Sequence, residues 1–515
     1  MNPSFRRLAL IALPGWLLAG CASTYLKLAP PSPTEPVIPA SARGAQVATP
    51  AASSSVPPSG DLADEGAAVQ PGRSYGLPEL VELAAASNPD TRIVWQRARQ
   101  AALAVGVAHA RDYPTLSAVA LGGYQHSWFP ANSSLALTTQ VLLPGITVAV
   151  PPGTTGHVGI DTFEVLPFLS LRWEALDFSR GPAERAAEQG SVAANLVFVG
   201  EHQKLLFQVS RTYFSLGAAR AQVRVAQEAL HRTRTIDQSA EAKFGRGLAT
   251  AVEVAEARRE VAQAEYGLSE AQAAEQVARS ALLTALGVDP RMTLEIETLS
   301  SGALADSVRQ PVDGYLKSAL ASRPDLGAAQ AHASQAEAMI DHANSTWLPK
   351  LSLVGTGGLQ TLGTKVAGTS FSTATSPHVT ALASLEWLLF DGGAREGSSE
   401  IARARRDEAE LEIRKLRNVA NQEVLSAYDE ANAALSRYRA AQALERTASV
   451  ADDATARSYA NGLSTLADAA SAQRAHALAS AAKERAYADA RIAAVALTFA
   501  SGQLRAVGAI PDPLP

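Results

Sequence analysis

Two short stretches place hydroxyl and carboxylate side chains at a spacing with a defined chemistry. Thr250 stands three residues before Glu253, and Thr465 three residues before Asp468. That is the spacing of a capping box, in which the hydroxyl accepts a free backbone N–H at a helix start and the carboxylate returns the bond. Three residues ahead of each threonine lies a glycine, Gly247 and Gly462, able to take the left-handed conformation that closes the preceding helix. Gly247-Leu248 and Gly462-Leu463 are therefore expected at the tips of helical hairpins. The other reactive side chains do not converge. The nine histidines, His109, His126, His202, His231 and His332 among them, fall at no metal-ligand spacing with cysteine or carboxylates, so neither metal nor cofactor is expected. No Gly-rich phosphate loop follows a strand and no nucleophile elbow occurs, which argues against an enzyme. Asp452-Asp453 and the run from Arg403 to Arg406 read as solvated helix faces. A net charge of −5 gives no reason to expect nucleic acid.

The one cysteine, Cys21, allows no disulfide within the chain. Residues 1–20 carry Arg6 and Arg7, then an apolar run from Leu8 to Leu18, which reads as a signal peptide too short for a membrane-spanning helix. Leu18-Ala19-Gly20-Cys21 resembles a bacterial lipoprotein box, which implies that Cys21 is acylated and becomes the new N-terminus. Ala22 after it implies sorting to the outer membrane. Each buried methylene of an acyl chain adds about 0.8 kcal/mol to anchoring. Residues 21–76 are then an acylated N-terminus and a Pro/Ala/Ser-rich tether, too poor in apolar side chains to offset the entropy of ordering.

The elements that position the two tips come from an internal duplication. Asn88-Pro89-Asp90 recurs as Arg323-Pro324-Asp325 and Pro114 as Pro349, at an offset of 235. Trp173 and Asp177 recur as Trp387 and Asp391, Tyr213 as Tyr428, and Gly247 as Gly462, at offsets of 214 and then 215. The first copy carries an uncharged insertion between Gln125 and Thr162. Each half reads helix, strand, strand, long helix, turn, long helix. The first helix runs from Leu80 to about Ala110 and its copy from Tyr315 to about Asn344. Strands are expected at about 115–125, 162–178, 350–361 and 378–391, long enough to cross an outer membrane when tilted. Four strands cannot close a barrel, and open edges are not tolerated in lipid, so several chains would have to pool them.

The long helices carry heptads. Val254, Val261, Leu268 and Leu282 recur every seven residues, with Glu275 the one departure, and alanines follow three residues on at Ala257, Ala264, Ala271, Ala278 and Ala285. The second copy repeats this with Ala472, Ala479, Ala486, Ala493 and Ala500, and the preceding helix answers with Val209, Leu216, Val223 and Leu230. Sustained heptads with alanine at a core position predict closely packed, left-handed coiled coils. A helix from Glu184 to Phe244 would be about 90 Å long, too long for one globular core.

The duplication, the Asn88-Pro89-Asp90 and Arg323-Pro324-Asp325 turns, Pro114 and Pro349, the stretch from Trp387 to Asp391 and the Gly462-Leu463 tip together resemble the TolC-like outer-membrane factor family, from about Leu77 to Gly502. Cys21 adds similarity to its acylated branch. The resemblance implies an α+β membrane protein: a homotrimer pooling its strands in a twelve-stranded outer-membrane β-barrel that continues into a periplasmic α-helical barrel. It further implies a passive exit duct of a tripartite exporter, working with a periplasmic adaptor and an inner-membrane pump, embedded in outer-membrane lipid. By the same resemblance Asp468, and with it Glu253, would stand at the periplasmic gate. The family's usual second aspartate is Ser471 here, which implies weaker cation selectivity. Gly247, Leu248, Gly462 and Leu463 would meet the adaptor. The expected divisions are 77–287 for the first repeat, 288–314 for an equatorial segment, 315–502 for the second repeat and 503–515 for a tail. The competing reading is a periplasmic coiled-coil lipoprotein that spans nothing.

Overall fold

The computed structural model describes residues 25–35, 73–130, 135–137, 146–148, 157–298, 303–366 and 370–504. The signal peptide, Cys21, residues 36–72 of the tether and the tail after 504 lie outside the described residues.

In chain order the strands are β1 (Ser74–Tyr75), β2 (Thr115–Pro130), β3 (Leu135–Leu137), β4 (Ile146–Val148), β5 (His157–Leu176), β6 (Glu295–Ile296), β7 (Lys350–Val366) and β8 (Ser372–Glu386). The α-helices are α1 (Leu77–Ser87), α2 (Pro89–His109), α3 (Arg180–Phe244), α4 (Ala251–Leu286), α5 (Val312–Ser322), α6 (Pro324–Ser345), α7 (Ala394–Ala460) and α8 (Leu466–Ala500). The chain forms two compact units, one of Met1–Val105, Ala187–Ala336 and Arg405–Pro515, the other of Gly106–Ala186 and Glu337–Ala404.

The helix expected from Leu80 to Ala110 is two helices, and so is its copy. Asn88 breaks the first at an extended ψ of 122°, and its carboxamide accepts the Asp90 N–H at 2.8 Å while donating to the Ala285 carbonyl at 3.0 Å. A residue before proline is pushed out of the helical region, which the reading of one helix overlooked. Arg323 breaks the copy in the same way, at a ψ of 124°.

Within the first unit, the heptad side chains Val209, Leu216, Val223 and Leu230 are all buried. Leu80, Leu206, Leu216, Leu282 and Leu286 share one core cluster, and Val424, Leu435, Ala493, Leu497 and Ala500 a second. The heptad departure, Glu275, receives Arg220 at 3.3 Å and Arg279 at 3.0 Å, so a paired charge takes the place of the missing aliphatic. Between the repeats, β6 pairs in parallel with β1.

The second unit holds an antiparallel sheet in the order β2-β5-β7-β8. All four strands reach further toward the loop ends than the sequence suggests: Gln125↔Thr162 through Pro130↔His157 are paired, so part of the insertion is strand. The register sorts the side chains. Leu116, Leu169, Leu171, Trp173, Leu353, Val379 and Leu385 fall on one face, while Ser117, Glu164, Ser170, Arg172, Thr356, Thr380 and Ser384 fall on the other. Side chains alternate across a strand, so the face of Leu116 and Leu171 is largely apolar from Leu116 to Val165, whereas the other face mixes those polar side chains with Val119, Leu121, Leu166, Phe168, Val354 and Leu382. Neither β2 nor β8 has a second neighbour among the described residues.

Candidate functional site

Each tip is built by local backbone chemistry. At the end of α3, Gly247 takes φ 73°, its N–H reaches the Phe244 carbonyl at 2.9 Å, and the Leu248 N–H reaches the Lys243 carbonyl at 2.9 Å. At the end of α7, Gly462 takes φ 75°, with the Gly462 and Leu463 N–H groups on Tyr459 at 3.1 Å and Ser458 at 2.8 Å. This is the Schellman closure, which needs a left-handed residue that glycine supplies without strain. The next helix starts on the capping box. Thr250 donates its N–H to Glu253 Oε2 at 2.8 Å and accepts the Glu253 N–H at 3.2 Å. Thr465 donates its N–H and its hydroxyl to Asp468 Oδ2, at 3.1 and 2.6 Å, and accepts the Asp468 N–H at 3.2 Å. The Thr465 hydroxyl, then its N–H, hold the exposed Asp468 carboxyl below its usual 3.8. Leu248 and Leu463 stand out into solvent, 73% and 81% exposed.

The two tips are joined to each other. Ala240, Ala257, Tyr459, Leu466 and Ala469 form one buried cluster, and Lys243 reaches from the first tip to donate to the Tyr459 carbonyl, with its ammonium 3.6 Å from the Tyr459 ring centre. Further along α3, burial, helped by Glu241 and opposed by Arg258, pushes the Asp237 carboxyl up.

Above the tips lies a set of buried polar contacts that the sequence reading missed. Asp452 is not on a solvated face: it is 2% exposed, receives Arg232 at 2.6 Å, and has His476 Nδ1 at 2.9 Å. Only its neighbour Asp453 is half exposed. Heptad position alone could have flagged Asp452, since it falls seven residues before the buried Tyr459. Gln473 bonds the Thr233 hydroxyl at 2.5 Å, and Arg474 clasps Glu260 at 2.8 Å to both oxygens. These groups border a groove of about 350 Å³ between α3, α4 and α8, lined otherwise by alanines such as Ala229, Ala264 and Ala477. The Arg232–Asp452, Gln473–Thr233 and Arg474–Glu260 contacts each tie a helix of the first repeat to one of the second, while His476–Asp452 joins α8 to α7, so this layer resists sliding of the two hairpins. Away from the tips, His109, Asp112 and Glu184 come together in the second unit, at a spacing that the linear sequence does not reveal.

A sheet with one largely apolar face, whose outer strands have no second neighbour among the described residues, in a chain with paired helical hairpins, fits an outer-membrane channel, and comparison with known proteins agrees. The pattern of the outer membrane efflux protein family matches residues 80–288 and 315–503, and the chain belongs to that family. Protein CyaE of Bordetella pertussis is 26% identical over 396 residues, 76% of this chain and 75% of that protein. The pyoverdine export outer membrane protein OpmQ of Pseudomonas aeruginosa is 29% identical over 290 residues, 55% and 56% of the two chains. The solved outer-membrane channel OprN shares the fold at a TM-score of 0.66 and 20% identity, covering 83% of this chain and 90% of that one. The protein is thus an outer-membrane efflux channel extending into the periplasm, and not an enzyme. Channels of this family serve as the exit ducts of tripartite systems, with a periplasmic adaptor and an inner-membrane pump. Family membership removes the reading as a coiled-coil lipoprotein that spans nothing.

Proposed function

We propose that three copies of this chain close one barrel around a threefold axis, and that the paired tips form its periplasmic gate. The observation that carries this is the sheet whose outer strands, β2 and β8, have no second neighbour among the described residues. Unpaired backbone groups in lipid cost several kcal/mol each, and cyclic pairing of β8 on the next copy's β2 satisfies all of them. Three copies of Asp468 then ring the constriction and attract cations, as carboxylate rings do in cation channels. Because Ser471 replaces a second acid, the ring is weaker than a paired one. Glu253 serves its own helix start as a cap.

The exposed knobs Leu248 and Leu463 beside Gly247 and Gly462 are the meeting points for the adaptor. Docking untwists the hairpins, breaks the Lys243–Tyr459 link and parts the Asp468 ring, while the energy comes from the pump. Acylated Cys21 adds an anchor in the inner leaflet. CyaE and OpmQ differ in name and, for OpmQ, in stated cargo, and an open water-filled tube imposes little selectivity of its own. Substrate choice therefore rests with the pump.

The test is single-channel conductance of the purified mature protein in a planar bilayer, beside Asp468→Ala and Thr465→Ala. A small cation-favouring conductance that widens or loses selectivity in Asp468→Ala, but not in Thr465→Ala, supports the gate. Equal behaviour of both variants reduces Asp468 to a helix cap. No conductance from verified trimers overturns the duct.

A further inference from the structure

The geometry points to a divalent transition-metal site made by His109, Asp112 and Glu184, in the second unit. His109 ends α2, Asp112 ends the short 3-10 turn Ala110–Asp112, and Glu184 lies in the opening turns of α3. The distances from His109 Nδ1 are 3.5 Å to Glu184 Oε1 and 3.9 Å to Asp112 Oδ2, and ligand atoms of all three residues lie within 4.8 Å of one another.

These separations are informative against the rest of the molecule. Where an imidazole simply meets a carboxylate here, the two close to hydrogen-bond distance: 2.6 Å for His126 and Asp161, 2.9 Å for His476 and Asp452. At His109 the Glu184 and Asp112 oxygens lie at 3.5 and 3.9 Å. Two ligand atoms on a tetrahedral ion with bonds of about 2.1 Å are about 3.4 Å apart, which is the spacing that His109 and Glu184 keep. An imidazole with two carboxylates and no sulfur suits Zn²⁺ and similar borderline divalent ions, and excludes a preference for Cu(I).

The surroundings fit. Arg180 Nη1 lies 3.7 Å from Asp112 Oδ1, the oxygen away from His109, so the guanidinium orients the carboxylate and leaves Oδ2 to the site. Two carboxylates against one guanidinium still leave the site net negative. The second repeat supplies an internal control. At the repeat offsets of 235 for α2 and 214 for the start of α3, His109 corresponds to Asn344, Asp112 to Trp347 and Glu184 to Ser398, so the second copy carries none of the three ionisable groups. In that corner the Ser399 hydroxyl donates to Asn344 Oδ1 at 3.2 Å. Folding does not require ionisable groups there. An ion would fasten the end of α2 to the start of α3, the two helix ends that flank the β2–β5 pair.

The experiment is titration of the purified, His-tag-free full-length protein with ZnCl₂ at neutral pH, by calorimetry and by metal analysis after dialysis. His109→Asn, which copies Asn344, and Glu184→Gln serve as variants. The wild-type protein is expected to retain one ion per chain and to melt at a higher temperature with zinc. Both variants should bind at least about tenfold more weakly and lose the zinc-dependent shift, since losing even a partner of a ligand costs 10–100-fold. Unchanged affinity in His109→Asn, or no retained zinc in the wild type, overturns the site. Should His109→Asn fail to fold, Glu184→Gln decides alone.

Discussion

Asp468 Oδ2 is at once the cap of α8 and the candidate charge of the gate, and substitutions separate the roles. Thr465→Ala removes the hydroxyl and should lower helix stability by about 1 kcal/mol with the charge kept. Asp468→Asn removes the charge with most of the cap kept, and should reduce cation preference at low salt; an unchanged reversal potential would assign the residue to capping alone. The folded carboxyl lies below its ordinary 3.8, so its stabilisation is present above that value and is lost as pH falls through the lower folded one. Cation preference should accordingly hold from neutral pH to about pH 5. Asp452 is a different case, a carboxylate buried between Arg232 and His476. Asp452→Ala should cost about 1.5–3 kcal/mol, the range for hydrogen bonds to a charged group, rather than more, because half-exposed Arg232 regains water. Thermal unfolding in detergent measures it, and a variant melting like the wild type would show the network to be unimportant for stability. The capping residues were legible in the sequence because a cap is a contact over three residues. The Asp452 partners were not, because Arg232 is more than two hundred residues away.

At the scale of elements, two glycines with the same backbone conformation separate strain from packing. Gly462 has φ 75° with open space where a Cβ would sit, while Gly287 has φ 74° and would place a Cβ 2.6 Å from the Asn88 Cα. Gly462→Ala should cost only the left-handed penalty of about 1–2 kcal/mol. Gly287→Ala adds a clash with backbone at the α1–α2 break and should lower the melting temperature further; equal losses would mean that the break yields. The break also marks where sequence reading stopped short. A proline inside an apolar pattern was read through, although the residue before it had to leave the helix. Strand ends were misplaced for a different reason. Pairing in β2 and β5 continues past the apolar stretch into residues such as Gln125 and His126, whose side chains carry no membrane signal but whose backbones still pair.

For the whole molecule, the decisive feature is a sheet whose outer strands β2 and β8 have no second neighbour among the described residues. Mass measurement in mild detergent, by light scattering with detergent correction, should find three chains and persistence of the assembly in high salt, because backbone pairing and apolar contact are not screened. A stable monomer would require the free edges of β2 and β8 to be covered in some other way. Within one chain, exposed ion pairs such as Arg258–Glu241 and Arg234–Glu265 add little stability, since such pairs are worth about 0–1 kcal/mol.

The sequence by itself determined the duplication, the coiled-coil helices and the tips, because repeats, heptads and capping boxes are patterns of neighbours along the chain. It also determined the presence of membrane strands, since a four-strand set with apolar alternation has few other uses. Tertiary structure decided what depends on register and on distant partners: which face of the sheet is apolar, that Asp452 is buried rather than solvated, and that Glu184 stands beside His109 and Asp112. The physical reason is that one residue of register inverts a strand face, and that a heptad says which way a side chain points but not what it meets.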